Sequence, residues 1–308
     1  MSEKIKCLID NTEYDSIESF HMHLRRFKIK QKDYYEEYYP RKDISNGKKI
    51  EYKNYDQYFS QEFIDKNSLK RYLKDHPEEG KAWSINYLKK RKESKSLTYS
   101  MSQAELRSLF TPSIKYFESV GKYNNICEGL GYINRYDYTE NNLKYQKLDN
   151  PTIIVDSREQ TSLKLAVPTE ILGLKVGDYA LKNNPNNIVI ERKGLGDFCG
   201  TLGKGYDRFC RELDRAVKSD TYVVILVESD INSALNFTYL PHMKHVRAQP
   251  SFIFKRLREI LTKYPNNVQC LFADGRIDAS KLLISIFQLG NQVKMIDLQY
   301  KYEIGELN

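Results

Sequence analysis

Four charged side chains in the second half of the chain have the types and spacing to hydrolyse a phosphodiester. Asp156 ends the apolar run Thr152-Ile153-Ile154-Val155, Asp178 follows Gly177, and Glu191 and Lys193 close a third apolar run. A strand's period of two puts Glu191 and Lys193 on one face. Carboxylate oxygens are hard ligands that suit Mg²⁺, with Mn²⁺ as its substitute, and Mg²⁺ takes one or two carboxylates plus waters and substrate phosphate oxygens. Such an ion lowers the pKa of a water and neutralises charge developing on the phosphodiester, while a lysine beside it orients or deprotonates that water. An acid, a gap and E-x-K are also what ordinary strand ends look like, so the triad alone does not decide the matter.

The elements that must position these groups read as an α/β domain from residue 150 to 308. Residues 152–156, 174–181 and 187–193 are expected strands, the last two joined as a hairpin by the Asn/Pro loop Lys182-Asn183-Asn184-Pro185-Asn186-Asn187. A helix over 197–219, a buried strand over 222–228, a helix over 254–264, a strand over 268–274 and a helix over 278–290 follow. Residues 293–304 read as a terminal strand or pair. The fold expected is a mixed sheet flanked by helices, preceded by small, mostly helical modules at 1–96 and 97–149. In the second of these, Ser102 and Glu105 form a capping box.

More than the triad is present. Asp156-Ser157-Arg158-Glu159, then Gly177-Asp178, then Glu191-Arg192-Lys193 with Asp197 beyond, resembles the signature of the XPF-type structure-selective nucleases. The resemblance covers residues 151–230 and extends loosely to 290. It implies a restriction-endonuclease-like fold and a Mg²⁺-dependent DNA endonuclease of the repair or recombination kind, acting on branched or otherwise structured DNA. It also implies Asp156, Asp178 and Glu191 as metal ligands and Lys193 as the water-positioning cation. Arg192 and Arg158, with Glu159, support the site or face phosphate, and Asp197 holds the basic cluster. Arg192 alternates to the face opposite Glu191, where pairing with Asp197 or Glu159 is the plainer reading. Family members carry a helicase-like region before this domain and paired helix-hairpin-helix motifs after it, and neither pattern is found here, which opens the questions of DNA preference and of a homodimer through the nuclease domain. Two other readings stay open: sequence-specific cleavage of the restriction or homing type, and a non-catalytic DNA-binding scaffold.

DNA targeting is then expected from the first half, which holds 17 of the 24 tyrosines. Arg25, Arg26, Lys28 and Lys30 are read as phosphate contacts and Tyr34 and Tyr35 as base-stacking platforms, against the plainer view that the tyrosines cover a small core. The net charge of +8 favours a polyanionic partner without requiring one. Five cysteines without a C-x-x-C pair offer neither a disulfide framework nor a ribbon-type zinc site. Cys7, His21 and His23 resemble a zinc-finger segment one cysteine short, and His242 and His245 lack a second ligand pair, so no zinc is expected. There is no apolar run of membrane-spanning length, no secretory h-region in the opening residues and no phosphate-loop motif. An intracellular protein, in nucleus or cytoplasm alike, with no membrane or nucleotide partner is expected.

Overall fold

The computed structural model describes residues 4–139, 143–184, 186–238 and 249–307. His242 and His245 lie outside them. The chain divides into two compact units, Met1–Trp83 and Ser84–Asn308.

The N-terminal unit opens with a short antiparallel hairpin, β1 (Ile5–Lys6) and β2 (Glu13–Tyr14), followed by helices α1 (Ile17–Arg26), α2 (Gln31–Tyr38), α3 (Tyr55–Ser60) and α4 (Lys66–Asp75). Ser16, Asn54 and Asp65 cap α1, α3 and α4 through their side-chain oxygens, which satisfies first-turn amides that have no helical partner. Its core is aromatic: Phe20, Leu24, Tyr34, Tyr35, Ile50, Tyr52 and Tyr58 pack together with Cys7. The long helix α5 (Pro77–Lys95) runs across the division between the units.

The second unit continues with three short helices, α6 (Gln103–Arg107), α7 (Ile114–Val120) and α8 (Tyr123–Gly129). The capping box of Ser102 and Glu105 is formed. The segment read as a small helical module at 97–149 is tied to the sheet domain by buried polar bonds. The Asp297 carboxylate accepts from the Gln103 amide at 2.6 Å and the Tyr138 hydroxyl at 2.9 Å, and Arg135 donates to the Leu261 and Val268 carbonyls.

The six-stranded sheet has the order β4-β3-β5-β6-β7-β8. Its strands are β3 (Ile153–Asp156), β4 (Thr169–Leu172), β5 (Tyr179–Leu181), β6 (Ile188–Lys193), β7 (Tyr222–Val227) and β8 (Val268–Phe272). The β3/β5 and β5/β6 pairs are antiparallel, whereas β3/β4, β6/β7 and β7/β8 are parallel. The hairpin expected on either side of the Asn/Pro loop is therefore present. Helices α9 (Leu195–Leu202), α10 (Tyr206–Lys218), α11 (Ile231–Asn236) and α12 (Pro250–Lys263) supply one apolar layer with Val189, Val223 and Ile225. The other face, with Ile188, Ile190 and Val224, packs on α13 (Arg276–Leu289) and α14 (Leu298–Glu303). This is the mixed, helix-flanked sheet that the sequence led one to expect.

Three elements differ from the sequence reading. The single helix expected over 197–219 breaks at Gly203, where a Cβ would lie 2.8 Å from the Cys199 carbonyl oxygen. Strand β4 was not foreseen because it is an exposed edge whose existence depends on pairing with β3. Residues 293–304 are a 3-10 turn and a helix rather than a strand, since Asp297 caps α14 by accepting from the Tyr300 amide at 3.0 Å.

Candidate active site

The site lies at one end of the central strands. Gly177 makes the turn that delivers Asp178: its φ is +78°, and a Cβ there would come within 3.0 Å of the Val189 side chain and 3.2 Å of the Ile190 carbonyl. Only glycine meets both demands at no cost. The Asp178 amide donates to the Ile190 carbonyl at 2.8 Å, and its Oδ2 accepts from the Arg192 amide at 2.8 Å, with no hydrogen bond to Oδ1 among the described residues. Glu191 is 5% exposed and ion-paired with Lys193 on the same face of β6. The Lys193 ammonium also sits 5.9 Å from the centre of the Phe209 ring on α10.

The electrostatics follow from burial. Desolvation pushes the Glu191 carboxyl up to about 7, with Lys193 opposing and Asp178 and Glu212 adding to the rise. Asp178 is raised for the same first reason. Burial works against the Lys193 charge, but Glu191 outweighs it and the pKa moves up. Lys193 is thus held in its charged form by the carboxylate beside it. Glu212 on α10, unnoticed in the sequence, is close enough to act on both Glu191 and Lys193.

Asp156 has a different place from the one expected. It is 2% exposed. Its Oδ1 accepts from the Arg158 amide at 2.9 Å and from Nε at 2.6 Å, and its Oδ2 accepts from the same guanidinium at 3.0 Å and from the Leu174 amide at 2.6 Å. Both oxygens are committed, and although burial works to raise its pKa these bonds hold it below the usual range. Among the described residues Asp156, Asp178 and Glu191 do not bring three ligand atoms within 4.8 Å of one another. In this structure Asp156 holds Arg158, and the oxygens available to a cation are those of Asp178 and Glu191. That pair, hard and crowded by Glu212 with one lysine to offset it, fits Mg²⁺ or Mn²⁺.

Arg192, expected among the catalytic groups, lies on the opposite face of the sheet. Its guanidinium is clamped between Glu159, at 3.1 and 3.2 Å, and Glu228, at 2.9 Å, with Arg276 joining Glu228 at 3.2 Å. It positions β6 and does not touch the Glu191 face. Asp197, expected to hold the basic cluster, is exposed and makes no ion pair or hydrogen bond among the described residues. As the third residue of α9 it complements the helix's positive end, while Glu159 and Glu228 neutralise Arg192. Glu228 was missed although the signal was there, since it follows the buried strand β7 as Asp156 closes β3. Removing Arg192 would strand the buried Glu159 carboxylate and leave Glu228 only Arg276. Arg192→Ala should cost about 3–5 kcal/mol of stability in urea unfolding, and a cost below about 1 kcal/mol would show that the clamp does not position the strand.

In the N-terminal unit Arg25, Arg26, Lys28 and Lys30 are exposed around the end of α1 and the start of α2, as phosphate contacts would need. Tyr34 and Tyr35 are not available for stacking on bases. They are 1% and 2% exposed, and their rings pack edge to face on each other and on Phe20. Interleaved charge hid a helical core whose apolar members are tyrosines.

Residues 155–285 match the model of the ERCC4 domain. Among solved structures the chain is similar to XPF from Aeropyrum pernix, at 19% identity and a TM-score of 0.35 over 45% of this chain and 64% of that one. It is also similar to the complex of that protein with DNA, at 20% identity and a TM-score of 0.34 over 50% and 72%. The chain thus spans less than two thirds of the first of these. No curated protein matches it. Among the described residues no helix is long and apolar enough to cross a membrane. The D-x-R-E, G-D and E-R-K segments, brought to one end of a mixed sheet, lie within residues 155–285, which match the ERCC4 domain.

Proposed function

We propose that the chain is a Mg²⁺-dependent endonuclease that hydrolyses phosphodiester bonds in branched or otherwise structured DNA. The observation that carries this reading is the buried Glu191, paired with Lys193 beside Asp178, whose Oδ1 accepts no hydrogen bond among the described residues. A binding-only domain has no need to bear the desolvation of a carboxylate at that place. Asp178 and Glu191 would hold the ion, which when bound supplies neutralisation of charge at the phosphodiester. Lys193, charged, orients the attacking water or a phosphate oxygen. Arg158 is exposed at the rim beside Asp156 and is suited to meet a neighbouring phosphate. Exposed Ile171 and Leu172 on the edge strand β4 offer apolar surface for a homodimer through the same domain.

The cations of α1 and α2 supply phosphate-led affinity in this reading. Cleavage of a panel of duplex, flap, fork, bubble and single-stranded DNAs in Mg²⁺ tests the substrate. The proposal expects at least one branched form to be cut in preference to plain duplex, and equal or absent cleavage of all forms would reject it. Replacing Arg25, Arg26, Lys28 and Lys30 by Ala should lower the slope of log affinity against log salt by about 1 for each phosphate that these side chains neutralise. An unchanged slope would move the N-terminal unit from DNA to a protein partner.

A further inference from the structure

Cys7, Asp10 and His23 bring one sulfur, one carboxylate oxygen and one ring nitrogen within 4.8 Å of one another. They come from the β1–β2 hairpin and from α1, which together make a ββα unit of the kind that closes around zinc in C₂H₂ fingers. The spacing agrees with that geometry. Counted along the chain, Cys7-x₂-Asp10-x₁₂-His23-x₃-Phe27 places Asp10 where such a finger has its second cysteine and Phe27 where it has its second histidine.

The local bonds hold the three ligand atoms close together. Between Cys7 and Thr12 the chain turns back on itself, the Asn11 amide donating to the Cys7 carbonyl at 2.9 Å and the Cys7 amide to the Thr12 carbonyl at 2.8 Å. The Thr12 amide donates to Asp10 Oδ1 at 3.1 Å, and Oδ2 is the oxygen beside His23. His23 Nε2 lies 2.9 Å from that Oδ2, is buried, and makes no hydrogen bond. Cys7 is 1% exposed. The Phe27 and Tyr14 rings, 4.7 and 4.9 Å from the His23 ring, wall the imidazole. His21 is not part of the group, for its Nε2 is engaged with the Tyr35 hydroxyl at 2.9 Å.

We propose that Cys7, Asp10 and His23 bind one divalent transition-metal ion, Zn²⁺ in chemistry, which ties the hairpin to α1. Thiolate, carboxylate and imidazole are the donor set for Zn²⁺ and its spectroscopic substitute Co²⁺, whereas the oxygen-only nuclease site suits Mg²⁺. By spacing Phe27 stands where a fourth ligand would be, and among the described residues no further His, Cys, Asp or Glu joins the group. Cys7 packs in the aromatic core of this unit, whereas Asp10 and His23 lie outside it, so loss of His23 should leave the unit folded.

The test uses the full chain, stripped of metal and titrated with Co²⁺. One equivalent should produce ligand-field bands together with a thiolate-to-cobalt charge-transfer band, and Zn²⁺ should displace it. Cys7→Ser should abolish the charge-transfer band, and His23→Gln should weaken binding by at least about tenfold, with the tyrosine near-UV circular dichroism of the unit retained. Phe27→His, which restores a fourth ligand, should tighten binding by at least about tenfold, an outcome that no loss of folding can mimic. Absence of a charge-transfer band in the unsubstituted chain, its survival in Cys7→Ser, or an unchanged affinity in Phe27→His would each overturn the proposal.

Discussion

Glu191→Gln and Lys193→Ala should each slow DNA cleavage by at least about a hundredfold, the scale expected for a positioned charged group in phosphodiester hydrolysis, while DNA affinity is retained. The two substitutions fail for different reasons. Gln keeps the shape of the buried Glu191 but removes the charge that a cation needs. Ala at 193 removes the ammonium and leaves Glu191 buried without its partner, so that carboxyl should also hold its proton more tightly. A Lys193→Arg variant would restore the charge to Glu191 without restoring the point-like ammonium, and should recover folding stability more than rate. Single-turnover cleavage and DNA binding measured side by side check this. Wild-type cleavage by either Glu191→Gln or Lys193→Ala, with the fold intact, would remove that residue from the mechanism.

The second large effect is of pH on metal affinity. Burial raises Glu191 to about 7 and raises Asp178 as well. A group whose pKa is higher in the folded chain than in the unfolded one stabilises the fold below its unfolded pKa, and that contribution is lost as pH rises through the folded value. For Glu191 the apo chain should therefore lose stability as pH climbs through about 7, as its proton leaves a buried carboxyl. The cation takes the place of that proton. Apparent Mn²⁺ affinity should consequently rise about tenfold per pH unit below the Glu191 pKa and level off above it, and Mn²⁺ should relieve the alkaline loss of stability. Titration of Mn²⁺ by calorimetry between acid and mildly alkaline pH measures the slope. An affinity independent of pH would mean that Glu191 is not where the ion binds.

What the sequence revealed follows how local each feature is. Glu191 and Lys193 sit two apart on one strand, so their shared face follows from the backbone period alone, and the turn at Gly177 needs only its own left-handed φ and the neighbouring strand. The fate of Asp156 was not legible, because the Leu174 amide that helps saturate it is brought in by the edge strand β4, whose pairing is tertiary. Arg192 was half legible. Alternation placed it opposite Glu191 and left Asp197 or Glu159 as the partner; Glu159 pairs with it, while Glu228 arrives from β7 and Arg276 from α13. Tyr34 and Tyr35 misled because tyrosine next to lysine and arginine looks the same whether the ring faces a base or a core. Only the packing of α2 against its neighbours, which folds both rings inward, decides. Asp10 was overlooked for a chemical reason, since a search for cysteine pairs does not see a carboxylate in a cysteine's place.

If Asp178 and Glu191 recruit a cation for phosphodiester hydrolysis at this end of the sheet, cleavage of an end-labelled branched DNA by the metal-stripped chain will show it. The stripped chain should leave the DNA intact, Mg²⁺ or Mn²⁺ should restore cutting, and Asp178→Asn should bind the same DNA yet remain inactive at any Mg²⁺ concentration that restores the unsubstituted chain. Full cleavage in excess EDTA, or equal cleavage by Asp178→Asn, would contradict it.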